Sequence, residues 1–210
     1  SAGHLAEIAA ELTAYFAECV LVDLATLPPC DMLLVFADGL DEEQKPTGPI
    51  RRLRISASPD APRLHVQHAP VERHKGPAGP FCQRTHQELV GPKTRLARID
   101  QPQGERVLRL NFKGTPSGKT FGLLVELFGR RANLAFVDGN DAILAMLSEP
   151  TGKSAERLAV GKTWEAPPFG TGVAPKESSL LSSFAHLAGE PPERKYPVNA
   201  PLSWIVESIL

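Results

Sequence analysis

The chain has 210 residues and a formal net charge of −1, from 23 Lys and Arg against 24 Asp and Glu. Its 42% apolar share excludes a disordered chain, and no apolar run approaches the ~18 residues of a membrane span. The 20 prolines, nearly twice the usual share of about 5%, favour many short strands over a helical bundle. Three scattered cysteines, Cys19, Cys30 and Cys82, form no paired framework and point to a reducing compartment. No basic-then-apolar signal segment opens the chain, and its start at Ser1 reads as a trimmed product.

Residues 3–18 predict an amphipathic helix, with Leu5, Ile8, Leu12 and Phe16 on one stripe and Glu7, Glu11 and Glu18 off it. Val20–Thr26 and Met32–Ala37 follow as short strands, broken by Pro28-Pro29. An acidic stretch, Asp38 to Pro49, reads as a mobile loop tip. Arg51–Ser58 and Arg63–Ala69 are the next strands, joined by the turn Pro59-Asp60-Ala61-Pro62. After a Pro/Gly-rich loop, Phe81–Val90 predicts a short helix with Phe81, Thr85 and Leu89 on one face. Gly91 can close that helix, and Pro92 stops it.

From residue 94 the pattern becomes a run of strands: Arg95–Asp100, Arg106–Phe112, Thr120–Phe128, Ala132–Asp138 and Ala142–Leu147. Leu108, Leu110 and Phe112 alternate with Val107, Arg109 and Asn111, as a strand with two different faces requires. The connectors are short, Gly139-Asn140-Asp141 being the clearest hairpin turn. Consecutive strands with such turns predict an antiparallel meander, because a parallel sheet would need crossover helices. One domain is expected over residues 1–168, closed by Pro167-Pro168, then a linker over 169–200 with a short helix at Ser178–Leu187. Residues 201–210 read as the first turns of a helix that continues into a longer protein.

The charge is segregated. Residues 1–50 carry nine acids and one base, residues 51–136 sixteen bases and six acids, and residues 137–210 nine acids and six bases. A basic middle inside a near-neutral protein suits an anionic partner, although arginines on outward strand faces would give the same count.

Two motifs fail on inspection. Gly114-Thr115-Pro116-Ser117-Gly118-Lys119-Thr120 resembles a phosphate-binding loop but has three residues between its glycines instead of four, and a strand follows it instead of a helix. His65 and His68 would face opposite sides of a strand, and Cys82 and His86, four apart on a helix, lack a second pair, so no metal site is predicted. No Gly-x-Ser-x-Gly elbow supports a hydrolase triad, and no catalytic residue or cofactor is assigned.

Several stretches in order resemble the N-terminal domain of the NFACT family, the ribosome-quality-control factors also described as fibronectin-binding proteins. They are Leu53-Arg54-Ile55-Ser56 with Pro59 and Arg63-Leu64-His65; Pro80-Phe81-Cys82 leading into a helix ending Leu89-Val90-Gly91; and Ile99-Asp100-Gln101 with Glu105-Arg106-Val107. Then come Glu126-Leu127-Phe128-Gly129-Arg130 with Asn133, and Arg157-Leu158 with Gly161, Trp164 and Pro167-Pro168. The resemblance implies an α+β fold of mainly antiparallel sheets, sandwich- or barrel-like with flanking helices, similar to the N-terminal domain of formamidopyrimidine-type DNA glycosylases. It implies a cytoplasmic factor that binds tRNA on the large ribosomal subunit carrying peptidyl-tRNA and supports untemplated tailing of the stalled chain, typically with alanine. No membrane or small-molecule cofactor is implied. The family's functional positions fall on Glu105, Arg106, Glu126, Leu127, Arg130 and Asn133, with Arg131 and His86 as a secondary basic surface. Glu105 stands where the family has Asp, and His86 where it usually has Arg.

A tRNA-recruiting binding module is thus expected ahead of a classical enzyme. A glycosylase or lyase on the same fold would use an N-terminal proline amine, whereas this sequence opens Ser1-Ala2-Gly3-His4. A surface adhesin binding fibronectin would need export, for which no signal segment is seen. A scaffold without ligand would bind neither tRNA nor ribosomes.

Overall fold

The structure is a computed structural model and describes residues 2–71, 79–102 and 106–166. Helix α1 spans Ala2–Tyr15 and is followed by strands β1 (Val20–Leu27), β2 (Asp31–Leu40), β3 (Pro46–Ser56) and β4 (Arg63–Val66). Helix α2 (Pro80–Leu89) leads to β5 (Arg95–Asp100), β6 (Val107–Lys113), β7 (Phe121–Glu126), β8 (Asn133–Asp138), β9 (Ile143–Met146) and the short helix α3 (Lys153–Arg157). All nine strands pair antiparallel in one sheet, in the order β4-β3-β2-β1-β5-β6-β7-β8-β9. The first and last strands are edges, so the sheet is open and does not close into a barrel. This is the antiparallel α+β architecture expected from the strand run.

Amphipathic patterning explains how the helices lie. Leu5, Ile8, Leu12 and Phe16 of the first helical segment are buried in the main core with Leu34, Phe36, Leu53, Leu110 and Leu123. The Phe16 and Phe36 rings meet with centroids 4.8 Å apart. Thr13 Oγ1 donates to the Ala9 carbonyl (2.7 Å) and accepts from the Ile99 amide (2.9 Å), which pins α1 to β5. On the other face of the sheet, Val107, Leu124, Ala135, Val137 and Ile143 form a smaller core with Leu158.

Two expectations change. Asp38 to Pro49 is mostly strand, because β2 runs on to Leu40 and β3 starts at Pro46, and only Asp41–Lys45 forms the turn. Gly91 does not cap α2. The Val90 amide closes the last turn on the His86 carbonyl (2.9 Å) with extended backbone, and Gly91 lies where a Cβ would come within 2.8 Å of Pro116. Helix α3, at five residues, is too short to show a period in the sequence. The expected linker at 169–200 and the helix at 201–210 lie outside the described residues.

Antiparallel register gives the sheet two distinct ends. Along β5–β9, Asp100, Val107, Glu126 and Asn133 mark one, called here the Glu126 end. Arg95, Lys113 and Phe121 mark the opposite, Lys113 end. Strand β1 meets β5 only at Val20–Arg95 and runs antiparallel to it, so from that pair the β2–β3 hairpin tip extends in the same direction as Asp100.

Candidate functional site

Glu126 and Asn133 are direct cross-strand partners that close the hairpin between β7 and β8. Between them the chain must reverse in six residues. Gly129 takes φ +58°, and a 3₁₀ turn over Gly129–Arg131 follows, closed by Arg131 N to Phe128 O (3.2 Å) and Ala132 N to Gly129 O (2.8 Å). A Cβ at Gly129 would meet only the Pro59 carbonyl oxygen, at 4.0 Å. The left-handed backbone, and not lack of space, therefore selects glycine. This geometry accounts for the motif spacing: an acid and an amide face each other at the base, a glycine turns the chain, and Arg130 and Arg131 stand exposed at the tip. The Leu127 amide donates to the Arg106 carbonyl (2.8 Å), which carries the β6–β7 ladder one bond further and sets the exposed Arg106 beside the hairpin.

The base of the hairpin is polar and buried. Glu126 is only 2% exposed. Arg157 donates to both of its oxygens, Nη1 to Oε1 at 2.7 Å and Nη2 to Oε2 at 2.8 Å, and Trp164 Nε1 donates to Oε1 at 2.9 Å. This paired fork satisfies the carboxylate from inside the protein and straps α3 and the segment after it onto β7. Asn133 is equally committed. Its Oδ1 accepts from the Leu134 and Ser148 amides (2.9 and 3.1 Å), and its Nδ2 donates to the Ser148 carbonyl (2.8 Å). Leu127 is buried in the main core.

The structure thus gathers Arg106, Glu126, Leu127, Arg130, Arg131 and Asn133 at one end of the sheet and divides them by role. Glu126, Leu127 and Asn133 point inward and hold the hairpin. Arg106, Arg130 and Arg131 are exposed and have no hydrogen bond or ion pair among the described residues. Glu105 lies outside the described residues. His86 is not part of this group: it sits on α2, half exposed, with Nε2 3.7 Å from Asp23 Oδ1. Arg157 and Trp164, noted in the sequence only as part of a pattern, are the partners of Glu126. A buried acid needs a cation and further donors, and that requirement is the signal that singles them out.

Arg130 and Arg131 rim a cleft of about 450 Å³ whose other walls include Pro29, Cys30, Pro59 and Glu149. Burial raises the Cys30 thiol above its ordinary value, and Asp31 raises it further. The thiol therefore stays protonated near neutral pH and is not a nucleophile. Among the described residues no cluster of three His, Cys, Asp or Glu could hold a metal ion. A rigid base carrying free guanidinium groups is the build of an anion-binding module, because the planar Arg fork fits phosphate.

The sequence matches the family of NFACT N-terminal and middle domains over residues 45–198. The chain therefore belongs to the NFACT family, the family of ribosome-quality-control factors. Among solved structures it is similar to the N-terminal domain of the fibronectin-binding protein PavA from Streptococcus pneumoniae, with TM-score 0.67 and 19% identity over 90% of this chain and 69% of that one. The N-terminal part of the fibronectin/fibrinogen-binding protein of Streptococcus suis gives TM-score 0.66 and 19% identity over 89% and 68%. The fibrinogen-binding protein of Staphylococcus aureus gives TM-score 0.59 and 19% identity over 77% and 54%. At that identity the likeness shows a shared fold. No curated protein matches the sequence.

Proposed function

We propose that this chain binds tRNA on the large ribosomal subunit and supports untemplated tailing of stalled nascent chains, with alanine as the added residue. The observation that carries the reading is the trio Arg106, Arg130 and Arg131, exposed and unpaired among the described residues, on a hairpin locked by buried bonds of Glu126 and Asn133. Three guanidinium groups held on a rigid base suit a phosphate backbone, and little ordering remains to be done when the ligand arrives. On this reading Glu126, Leu127 and Asn133 are positioning residues, and the chain works in the cytoplasm, with which its three free cysteines are compatible.

The test is tRNA binding over a range of salt. Arg106→Ala and Arg130→Ala should each weaken binding and lower the steepness of its salt dependence by about one. Wild-type behaviour in both variants would reject the assignment. The names of the structural neighbours raise a second reading, binding of fibronectin or fibrinogen. Binding of either protein that survives both substitutions, with no affinity for tRNA, would favour it.

A further inference from the structure

We infer that the Lys113 end of the sheet carries a second phosphate-binding surface, formed by Lys93, Lys113 and Lys119 around the Gly114–Lys119 turn, which takes the sugar-phosphate backbone of RNA. The inference takes RNA as partner class from the preceding proposal but rests on none of its residues.

The sheet register forces the cations together. Arg95 and Lys113 are direct cross-strand partners, an arrangement that destabilises a sheet unless the charges are relieved. Arg95 folds its guanidinium back, Nε to the Glu18 carbonyl (3.1 Å) and Nη1 to the Lys93 carbonyl (3.2 Å). Lys113 has only the Glu18 carboxylate, 3.9 Å away, and both side chains are largely in solvent. Lys93 and Lys119 are exposed, and their side chains have no polar partner among the described residues. Elsewhere the arginines are mostly spent internally: Arg51 on Asp38, Arg54 on Asp31, Arg98 on Asp100, Arg109 on Asp141 and Arg157 on Glu126. Among the described side chains, the bases left without a polar partner collect, Arg52 excepted, at the two ends of β5–β9.

The turn that presents these lysines is fixed before any ligand arrives. Gly118 N donates to Thr115 O (2.9 Å), buried Thr115 donates from Oγ1 to Lys119 O (2.5 Å), and buried Thr94 donates from Oγ1 to Gly114 O (3.2 Å). Gly114, at φ +69°, lies so close to the Lys93 backbone that a Cβ would sit 2.2 Å from its carbonyl oxygen. The two lysine-bearing loops therefore touch backbone to backbone. The sequence in this turn fails as a nucleotide-binding loop, yet its glycines and hydroxyls serve to display basic side chains.

Geometry separates this surface from the first. Strand β6 runs from Val107 to Lys113, so at ~3.4 Å per residue the two ends lie about 20 Å apart, too far for one phosphate to reach both. The β2–β3 hairpin carries Asp41, Glu42 and Glu43 past the level of Arg95 in the direction of Asp100, away from the Gly114–Lys119 turn. Ala37 is in register with Val20, Val20 with Arg95, and β2 continues to Leu40, about 10 Å further. Those carboxylates therefore do not screen the lysines, whose charge is left for a polyanion. RNA is the polyanion with which a ribosome-quality-control family works.

The experiment compares K93A/K113A/K119A with R130A/R131A and wild type, in the full chain, for binding to a 25-base-pair RNA duplex and to tRNA between about 50 and 300 mM salt. The lysine variant should keep the wild-type melting temperature, bind RNA about tenfold more weakly at low salt, and lower the salt slope by two to three. Its effect should multiply with that of the arginine variant. An unchanged affinity and slope in the lysine variant overturns the inference, even where the arginine variant loses binding. Loss in the lysine variant alone supports it and counts against the arginine site. Wild-type chain that binds polyglutamate or phosphatidylserine vesicles but not RNA overturns both.

Discussion

At the Glu126 end the exposed tips are basic and rest on buried polar bonds. At the Lys113 end lysines stand on a turn held by hydroxyls and backbone. Both ends present cations, but only the first has its scaffold written into a motif, Glu126 to Asn133. The difference shows why net charge over a stretch of sequence is a poor guide. The acid-rich first fifty residues send the Asp41–Glu43 tip past Arg95 in the direction of Asp100, away from the lysine turn. The lysine turn is therefore unscreened by that hairpin. Position in the sheet, not position in the chain, sorts the charge.

The sharpest way to break the comparison is to cut the footing of each end. Arg157→Met leaves the buried Glu126 carboxylate without its paired fork and should cost about 3–5 kcal/mol in urea unfolding. Thr115→Val at the other end removes one hydroxyl bond and should cost about 1 kcal/mol. Adding Glu126→Leu to Arg157→Met should recover much of the first loss, because an apolar pair of similar volume carries no desolvation penalty. An Arg157→Met variant within 1 kcal/mol of wild type would show that the hairpin does not depend on this lock.

The two turn glycines give a smaller contrast. Gly129→Ala meets no steric obstacle and should cost the left-handed backbone term alone, about 1–2 kcal/mol. Gly114→Ala adds a clash with the Lys93 carbonyl and should cost more. The opposite order in denaturation midpoints would mean that the Glu126 hairpin, not the lysine turn, is the more rigid element.

The nine strands were legible in chain order because their alternation is strong, as in Leu108, Leu110 and Phe112, and because their turns are rich in Gly, Pro and Asn. The motif spacing was legible too, but its logic was not. Glu126 looks like a surface acid until its partner is known, and that partner lies 31 residues away on a helix too short to carry a period. The acidic hairpin was hidden for another reason. Asp38, Gly39 and Pro46 have loop composition, yet the ladder continues through a bulge to pair Gly39 with Thr47 and Leu40 with Pro46. Register carried on from Leu34 and Leu53 overrides local preference there.

The smallest expected effect belongs to neither end. His65 on β4 has a buried Nδ1 with no hydrogen-bond partner among the described residues. Burial lowers its proton affinity, Arg63 and Arg54 lower it further, and a hydrogen bond with Gln67 and the nearby Asp31 carboxylate only partly oppose them. Near neutral pH the imidazole is uncharged both folded and unfolded. As pH falls through the ordinary histidine value of about 6.5, the unfolded chain takes up a proton that the folded chain refuses. Stability is therefore lost on acidification until the folded value is reached, below which this group adds no further loss. His65→Gln removes the titration and should give a shallower fall in melting temperature between pH 7 and pH 5 than wild type. The asymmetry between the ends should survive in that background, because among the described residues neither the Glu126 lock nor the lysine turn contacts His65 through any hydrogen bond or ion pair. Parallel melting curves for wild type and variant would show that His65 is as readily protonated folded as unfolded, and would assign the acid sensitivity to the carboxylate pairs instead.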